Sequence, residues 1–412
     1  MGLEHARHVL PGGTTVLTRP LTGNDIVVLK AFLPMGVLYE TDADAGLSSL
    51  VQSLLPRGTA TLAARELQDA LAELGAELDA GSGVDLGTIS LRATEATWER
   101  ALPLFLETLT APAFHAEEVA TEIEQTLGAI EAREDQLVAR AMDLFRVVFY
   151  GSHPGHKPVL GYRETVRGFD RDRVVAAARR FYRPVPPIVV GVGRFDPAVL
   201  MRALEDAFGR APLVPPEPRP APPTPGVGTR RLELDRDAAY LVHGYPAPSY
   251  LDADYPVARL TDAILGGSMA SRLFIELREK RSLAYQVSSL YADQVDGSFL
   301  AGYIVTDPGR ADEAAAGLAT EFARLISEPV TADELASARR YLKGHHLIGA
   351  ETNGAQASRL GVYEAHGLGQ DFGDRWLAAI EAVTPEAIQA LARRWFDREP
   401  VRAAVVPTGT TL

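Results

Sequence analysis

The chain has 412 residues, of which 46% are hydrophobic and 23% charged. This composition excludes a largely disordered polypeptide and leaves room for two domains. Lys and Arg number 41 against 54 Asp and Glu, a net charge of −13, which sets an acidic surface against any nucleic-acid backbone. Cysteine is absent, so disulfides, thiolate metal sites and cysteine nucleophiles are excluded, and zinc could be held only by histidine and carboxylate.

Residues 1–11 carry Glu4, His5, Arg7 and His8 without an apolar core. They read as no secretory leader, and no apolar run reaches about 18 residues. A cytoplasmic chain without a membrane span is expected. Residues 26–36, IVVLKAFLPMG, read as a strand ending in a turn, and GLSSLVQSLLPRGT (46–59) as an apolar helix ending in a small-residue loop. A second helix follows at 65–78, an alternating strand pair at about 76–92, a helix at 115–130, and a closing helix and strand at 174–193.

Residues 212–225, PLVPPEPRPAPPTP, hold eight prolines in fourteen positions. Each proline removes an amide donor and fixes φ, so the segment predicts a polyproline II linker, about 3.1 Å per residue and roughly 40 Å in reach. Beyond it the order repeats: a strand at 238–248, helices at 255–268 and 271–285, a strand pair at 285–305, a helix at 331–347, and a closing helix and strand at 388–406. The expected domains are 1–211 and 230–412, joined by a linker over 212–229. Each half reads β–β–α–α–β–β–α–α–α–β. That order predicts an α+β fold of two homologous domains, each a mostly antiparallel sheet packed with helices on one side.

Familiar motifs are missing. There is no phosphate-binding Walker loop and no G-x-S-x-G elbow. Gly191-Val192-Gly193 leads to Arg194-Phe195-Asp196-Pro197 rather than a third glycine, and reads as a strand-end turn. Asp42/Asp44 and Asp252/Asp254 lack the rest of a calcium loop. No two histidines stand at i and i+4, the spacing for zinc on one helix face. A nucleophilic role for Ser49 or Ser53 finds no neighbouring base or oxyanion motif.

The frame of residues 46–59, after the turn Gly36-Val37-Leu38-Tyr39-Glu40, resembles the N-terminal signature of the pitrilysin, insulinase and mitochondrial processing peptidase family, in its short-chain bacterial form. That family carries the inverted zinc motif H-x-x-E-H on this helix. Here the matching positions are Ser49, Gln52 and Ser53. The shared helix face is kept, but hydroxyls are poor zinc donors and glutamine has no carboxylate to take a proton from water. The resemblance places the family's later glutamates at Glu124 and Glu131, seven residues apart and on one helical stripe. GSHPGHKPVLGYRETV (151–166) and FYRPVPPIVVGVGRFD (181–196) are similar to further family segments. SMASRLFIELREKRSLAYQVSS (268–289) is similar to the family's S-R-L-x-x-x-L-R-E-x-x-x-L-A-Y signature, whose Arg and Tyr fall on Arg278 and Tyr285.

The resemblance implies a metalloendopeptidase homologue with a degenerate zinc motif in its first domain and a substrate-binding Arg/Tyr pair in its second. The expectation is a zinc-free, non-catalytic subunit with no cofactor of its own. Its partner would be a homologous zinc-bearing peptidase subunit, and extended peptides would add to a sheet edge. The alternative is a structural or peptide-binding homodimer without a proteolytic role.

Overall fold

The computed structural model describes residues 3–182, 185–209 and 217–410. The chain divides into two compact units. The first comprises residues 1–131, 157–220 and 349–372, the second residues 132–156, 221–348 and 373–412.

The elements run in order through β1 (Ala6–Val9), β2 (Thr15–Pro20), β3 (Ile26–Leu33), α1 (Leu47–Leu54), α2 (Ala64–Glu73), β4 (Glu77–Ser82), β5 (Gly87–Thr94), α3 (Trp98–Thr110), α4 (Ala116–Glu134), α5 (Leu137–Tyr150), α6 (Arg163–Arg167), α7 (Arg171–Tyr182), β6 (Ile188–Gly193) and α8 (Pro197–Phe208). They continue through β7 (Gly228–Glu233), β8 (Ala239–Pro246), α9 (Tyr255–Leu265), a π-helical segment Phe274–Lys280, β9 (Gln286–Ala292), β10 (Phe299–Thr306), α10 (Ala311–Ser327), α11 (Ala332–Ile348), α12 (Asn353–Ala365), α13 (Phe372–Ala382), α14 (Pro385–Phe396) and β11 (Val401–Val406).

The first unit's sheet has the order β1-β2-β6-β3-β5-β4 and the second unit's β7-β11-β8-β10-β9. Apart from β1 the two orders coincide. In each, one pair is parallel (β2 with β6, β7 with β11) and the remaining pairs are antiparallel. This is the repeat foreseen from the sequence, carried at the level of topology. Each half holds five helices between its second strand pair and its last strand where the pattern predicted three. The extra helices follow short breaks: α5 begins three residues after α4 ends.

Both faces of each sheet are covered. Helices on one side of the first sheet enclose a large core that includes Leu29, Leu50, Leu54, Ile89, Phe105 and Val189. On the other side Leu17, Val28, Phe32, Val190 and Val192 pack against Ala357 and Leu360 of α12. The second sheet repeats the scheme. Leu241, Leu300 and Ile304 face Leu318, Phe322 and Leu391, while Val242, Phe299, Val401 and Ala403 face Leu137, Phe145 and Phe149 of α5. The helices therefore do not lie on one side only.

Counted along the repeat, α5 and α12 are the same element. Each belongs to the compact unit of the opposite half of the sequence. The units are thus not the uninterrupted stretches 1–211 and 230–412 that the linker suggested. The reason is apolar periodicity: Leu137, Ala141, Phe145 and Phe149 recur every fourth residue and form a buried stripe. Phe145 and Phe149 meet Phe299 at 4.9 and 5.2 Å between ring centroids, within the range of favourable aromatic pairs.

Polar contacts fix α12 in its seat. Arg7 of β1 donates to both carboxylate oxygens of Glu364, Lys30 donates to Ser358 at 2.9 Å, and Asn353 donates to the Ile26 carbonyl at 2.7 Å. Pro212, Pro215 and Pro216 of the proline segment lie outside the described residues. Residues 217–225 form no helix or strand. They are tied down by the Arg180–Glu217 pair and by Arg219, which reaches Asp85 at 3.1 Å and His366 at 2.7 Å.

The closeness of α12 to its sheet generates a test. A Cβ on Gly361 would stand 2.0 Å from the Phe32 ring, whereas one on Gly344 of α11 would meet nothing. Gly361→Val is expected to destabilise the protein by about 2–4 kcal/mol through overpacking. Gly344→Ala is expected to be neutral or to gain up to about 1 kcal/mol from helix propensity. Calorimetry of both variants checks this, and an unchanged midpoint for Gly361→Val would contradict the seating of α12.

Candidate functional site on the first unit

The site begins where β3 ends. The turn after it places Glu40 in the interior, 5% exposed. Its carboxylate accepts the Gly46 amide at 3.1 Å and the Ser48 amide at 2.7 Å, so it closes the N-terminus of α1, where helix amides lack internal partners. Burial pushes the Glu40 carboxyl above its usual range, against the pull of those amides and of Lys157. Lys157, itself buried, donates to the Glu40 carbonyl at 2.8 Å. The segment from Lys157 onward buttresses this end of the helix. Thr165 donates to the Ala45 carbonyl at 2.8 Å. Gly46 and Gly161, with φ of 94° and 75°, cross so closely that a Cβ on Gly46 would lie 2.4 Å from the Leu160 carbonyl. Only glycine fits such a crossing at positive φ.

Helix α1 then presents the three positions singled out in the sequence. Gln52 is 0% exposed. Its Nε2 donates to Met35 Sδ at 3.1 Å, and its Oε1 has no hydrogen-bond partner among the described residues. The bare backbone of Gly87 makes the room, since a Cβ there would sit 2.0 Å from Gln52 Nε2. Gln52 therefore points into the sheet-facing core. Ser49 and Ser53 are half-buried.

Ser53 opens on a cleft of about 620 Å³, lined also by Arg57, Gln68, Asp79, Glu118 and Glu122. Leu78 and Ala80 complete one wall. They belong to β4, the edge strand of its sheet, so this wall carries backbone groups unpaired on their outer side.

The structure brings Glu122 rather than Glu124 to this cleft. Glu122 is 9% exposed and accepts from Arg57 Nη2 at 3.1 Å, and the same guanidinium donates to Gln125 at 3.0 Å. Glu124 and Glu131 are exposed, and Glu131 comes within 3.9 Å of Arg163. Glu124 stands two positions beyond Glu122, and two residues turn a helix by about 200°. The buried side of α4 runs through Val119, Glu122, Thr126, Leu127 and Ile130. Glu122 was therefore legible in the sequence as the acid that keeps time with Val119 and Thr126. Arg57 had no such signal.

In the second unit, Arg278 sits on the π-helical segment with its guanidinium 5.2 Å above the Phe274 ring. Leu283 closes the segment by donating to the Leu277 carbonyl at 2.7 Å. Tyr285, 66% exposed, donates its amide to the Val305 carbonyl at 2.9 Å and leads into β9, the edge strand of the second sheet. Both side chains are exposed on this approach to a sheet edge.

Among the described residues no group of three or more His, Asp or Glu side chains is placed to hold a metal ion. At α1 the donor set is two hydroxyls and a sealed amide, which does not suit zinc. No helix among the described residues is long and apolar enough to cross a membrane.

Comparison with known proteins gives the class. Residues 15–161 match the model described as Insulinase (Peptidase family M16), and residues 168–342 match the Peptidase M16 inactive domain. The chain belongs to peptidase family M16. It is 28% identical to an uncharacterized zinc protease of Streptomyces coelicolor, over 97% of this chain and 89% of that protein. It is 23% identical to another in Bacillus subtilis, over 93% of each. In fold it superposes on a peptidase M16 inactive domain from Pseudomonas fluorescens with a TM-score of 0.92, at 21% identity and with 100% of both chains covered. It also superposes on a protease from Helicobacter pylori with a TM-score of 0.90, at 18% identity, over 99% of this chain and 100% of that one.

The α1 cradle is testable by itself. Glu40→Ala strands two buried amides and is expected to destabilise the protein by about 2 kcal/mol. Ser49→Ala should stay within about 0.5 kcal/mol. Denaturant titration of both decides whether Glu40 holds the helix.

Proposed function

We propose that the chain is a non-catalytic, substrate-holding subunit of a heterodimeric zinc endopeptidase that acts on extended peptides. One observation carries this reading. The helix that bears H-x-x-E-H in the family here bears Ser49, Gln52 and Ser53, with Gln52 wholly sealed in the core, while Arg278 and Tyr285 remain exposed beside a sheet edge. A guanidinium and a phenol are suited to donate hydrogen bonds to a peptide carbonyl or to a developing oxyanion. Open edges such as β4 and β9 suit an extended peptide, because strand addition satisfies backbone groups with little demand on sequence.

On this reading the chain holds no zinc of its own, and the metal belongs to a homologous partner subunit. The chain's part is to bind and orient the peptide. The same features would serve a peptide-binding homodimer, and the experiment below separates the two. Metal analysis of the purified chain should give far less than one zinc per chain, with no chelator-sensitive cleavage of an unstructured peptide. One tight zinc per chain, or robust cleavage by the chain alone, would overturn the proposal. Reconstituted with a zinc-bearing partner, Arg278→Ala is expected to lower turnover by about tenfold or more at unchanged zinc content. An unaltered rate removes Arg278 from the site. Failure of any partner to gain activity, with peptide still bound, favours the homodimer.

A further inference from the structure

The connection from Arg278 to Tyr285 is held in an uncommon shape. It leaves a π-helical segment, a winding that is rare in proteins and frequent at functional sites. Ser282 then adopts a φ of 49°, the left-handed region that favours glycine. Such a backbone persists only where its surroundings hold it. One side is held from within. Leu283, 3% exposed, packs with Leu277 in the core of the second unit and donates its amide to the Leu277 carbonyl. Its own carbonyl accepts from Thr306 Oγ1 at 2.6 Å. The carbonyls of Arg281 and Ser282 come just past the helix end, where no further turn supplies amide donors.

Arg310 supplies those donors. Its Nη1 donates to the Ser282 carbonyl at 3.0 Å and its Nη2 to the Arg281 carbonyl at 3.2 Å. The guanidinium is itself fixed. Nε and Nη2 both reach one oxygen of Glu313, at 3.1 and 2.9 Å. The other oxygen of Glu313 accepts from Arg281 Nη2 at 2.8 Å. Arg281 is thus held by its carbonyl and by its side chain. The base of the clamp is preset as well. The Asp307 side chain accepts the Gly309 amide at 2.7 Å, and the Asp307 carbonyl accepts the Arg310 amide at 2.9 Å. A planar guanidinium, with its donors in a fixed fork, suits such a double cap better than an ammonium would.

We propose that Arg310 is a positioning residue for the Arg278/Tyr285 pair. By clamping the turn at Arg281 and Ser282 it sets how the first side chain leaves the helix and how the second enters β9. This role rests on the pair being the one that holds the peptide. Arg310 itself touches no peptide and acts through the other two.

Fluorescence anisotropy of a dye-labelled unstructured peptide, titrated with the full chain, tests it. Arg310→Gln should weaken peptide binding by about fivefold to tenfold. Arg310 is half-buried on the surface, so the variant should fold, with the melting temperature lowered only slightly. The deciding comparison is the same substitution in a chain that already carries Arg278→Ala and Tyr285→Phe. Strand addition leaves that chain a residual affinity to measure. There Arg310→Gln should change binding by less than about twofold, since nothing is left to position. Equal losses in both backgrounds assign Arg310 a general structural role and overturn the inference. So does unchanged binding when Arg310→Gln is made alone. If the unaltered chain does not bind the peptide, or binds it equally well without Arg278 and Tyr285, the substrate-holding reading fails and the positioning role falls with it.

Discussion

Two apolar faces on every sheet are the constraint from which the architecture follows. Val28 and Val192 face one way and Leu29 and Val189 the other, and all are buried. A strand apolar on both faces must be covered twice. The local helices cover one face of each sheet. The second face receives a single helix, and that helix comes from the other half of the sequence, α12 for the first sheet and α5 for the second. Burying Leu137, Phe145 and Phe149 removes three large apolar side chains from water, each contributing on the order of 1.5–3 kcal/mol. Without this helix the outer face of the second sheet, including Phe299 and Val401, would be an exposed apolar patch. Neither sequence half is therefore a self-sufficient folding unit, although each contains a whole sheet.

The same constraint explains the state of the candidate site. Helix α1 is clamped at its N-terminus by Glu40, Lys157 and the Gly46–Gly161 crossing, and it lies against the sheet through Leu50 and Leu54. The clamp involves none of Ser49, Gln52 or Ser53. The scaffold that aims this helix face is thus physically separate from the chemistry the face carries. A chain can lose the donors at three positions while the helix stays where it is. In the cleft beyond, the carboxylate of Glu122 is matched by Arg57, a tethered cation supplied by the chain itself.

Topology was legible in the sequence because the repeat appears twice and each copy corrects the other. The alternating strands, the first helices and the closing helix and strand of each half were found within a few residues. The exchange of α5 and α12 was not legible. Periodicity shows that Phe145 and Phe149 face something apolar, and it carries no information about which sheet that is. The linker pointed to contiguous halves because proline content reports local stiffness and not long-range packing. At the site, the apolar pattern of 46–59 placed a short helix, and the family resemblance singled out Ser49, Gln52 and Ser53 on it. Glu122 and Glu124, two residues apart, lie on opposite sides of the helix, and the burial of Val119 and Thr126 puts Glu122 on the cleft side.

The second copy of the repeat shows what that helix requires when no metal chemistry is in question. Ser49, Gln52 and Ser53 correspond to Ala258, Thr261 and Asp262 on α9. Thr261, like Gln52, is 0% exposed. It bonds back to the Val257 carbonyl at 2.8 Å, a local solution open to a threonine hydroxyl and not to a glutamine amide. Asp262 is pushed above the usual carboxylate range by burial, and it accepts from Ser289 of β9 at 2.6 Å. In both copies, then, the middle position is buried and the next one is polar. What distinguishes Gln52 is that packing leaves its Oε1 unsatisfied, whereas Thr261 has its partner. A side chain chosen for packing alone would be expected to resemble Thr261, and the stranded amide marks Gln52, like Ser48 with its unpartnered buried hydroxyl, as a residue of α1 whose identity packing does not explain.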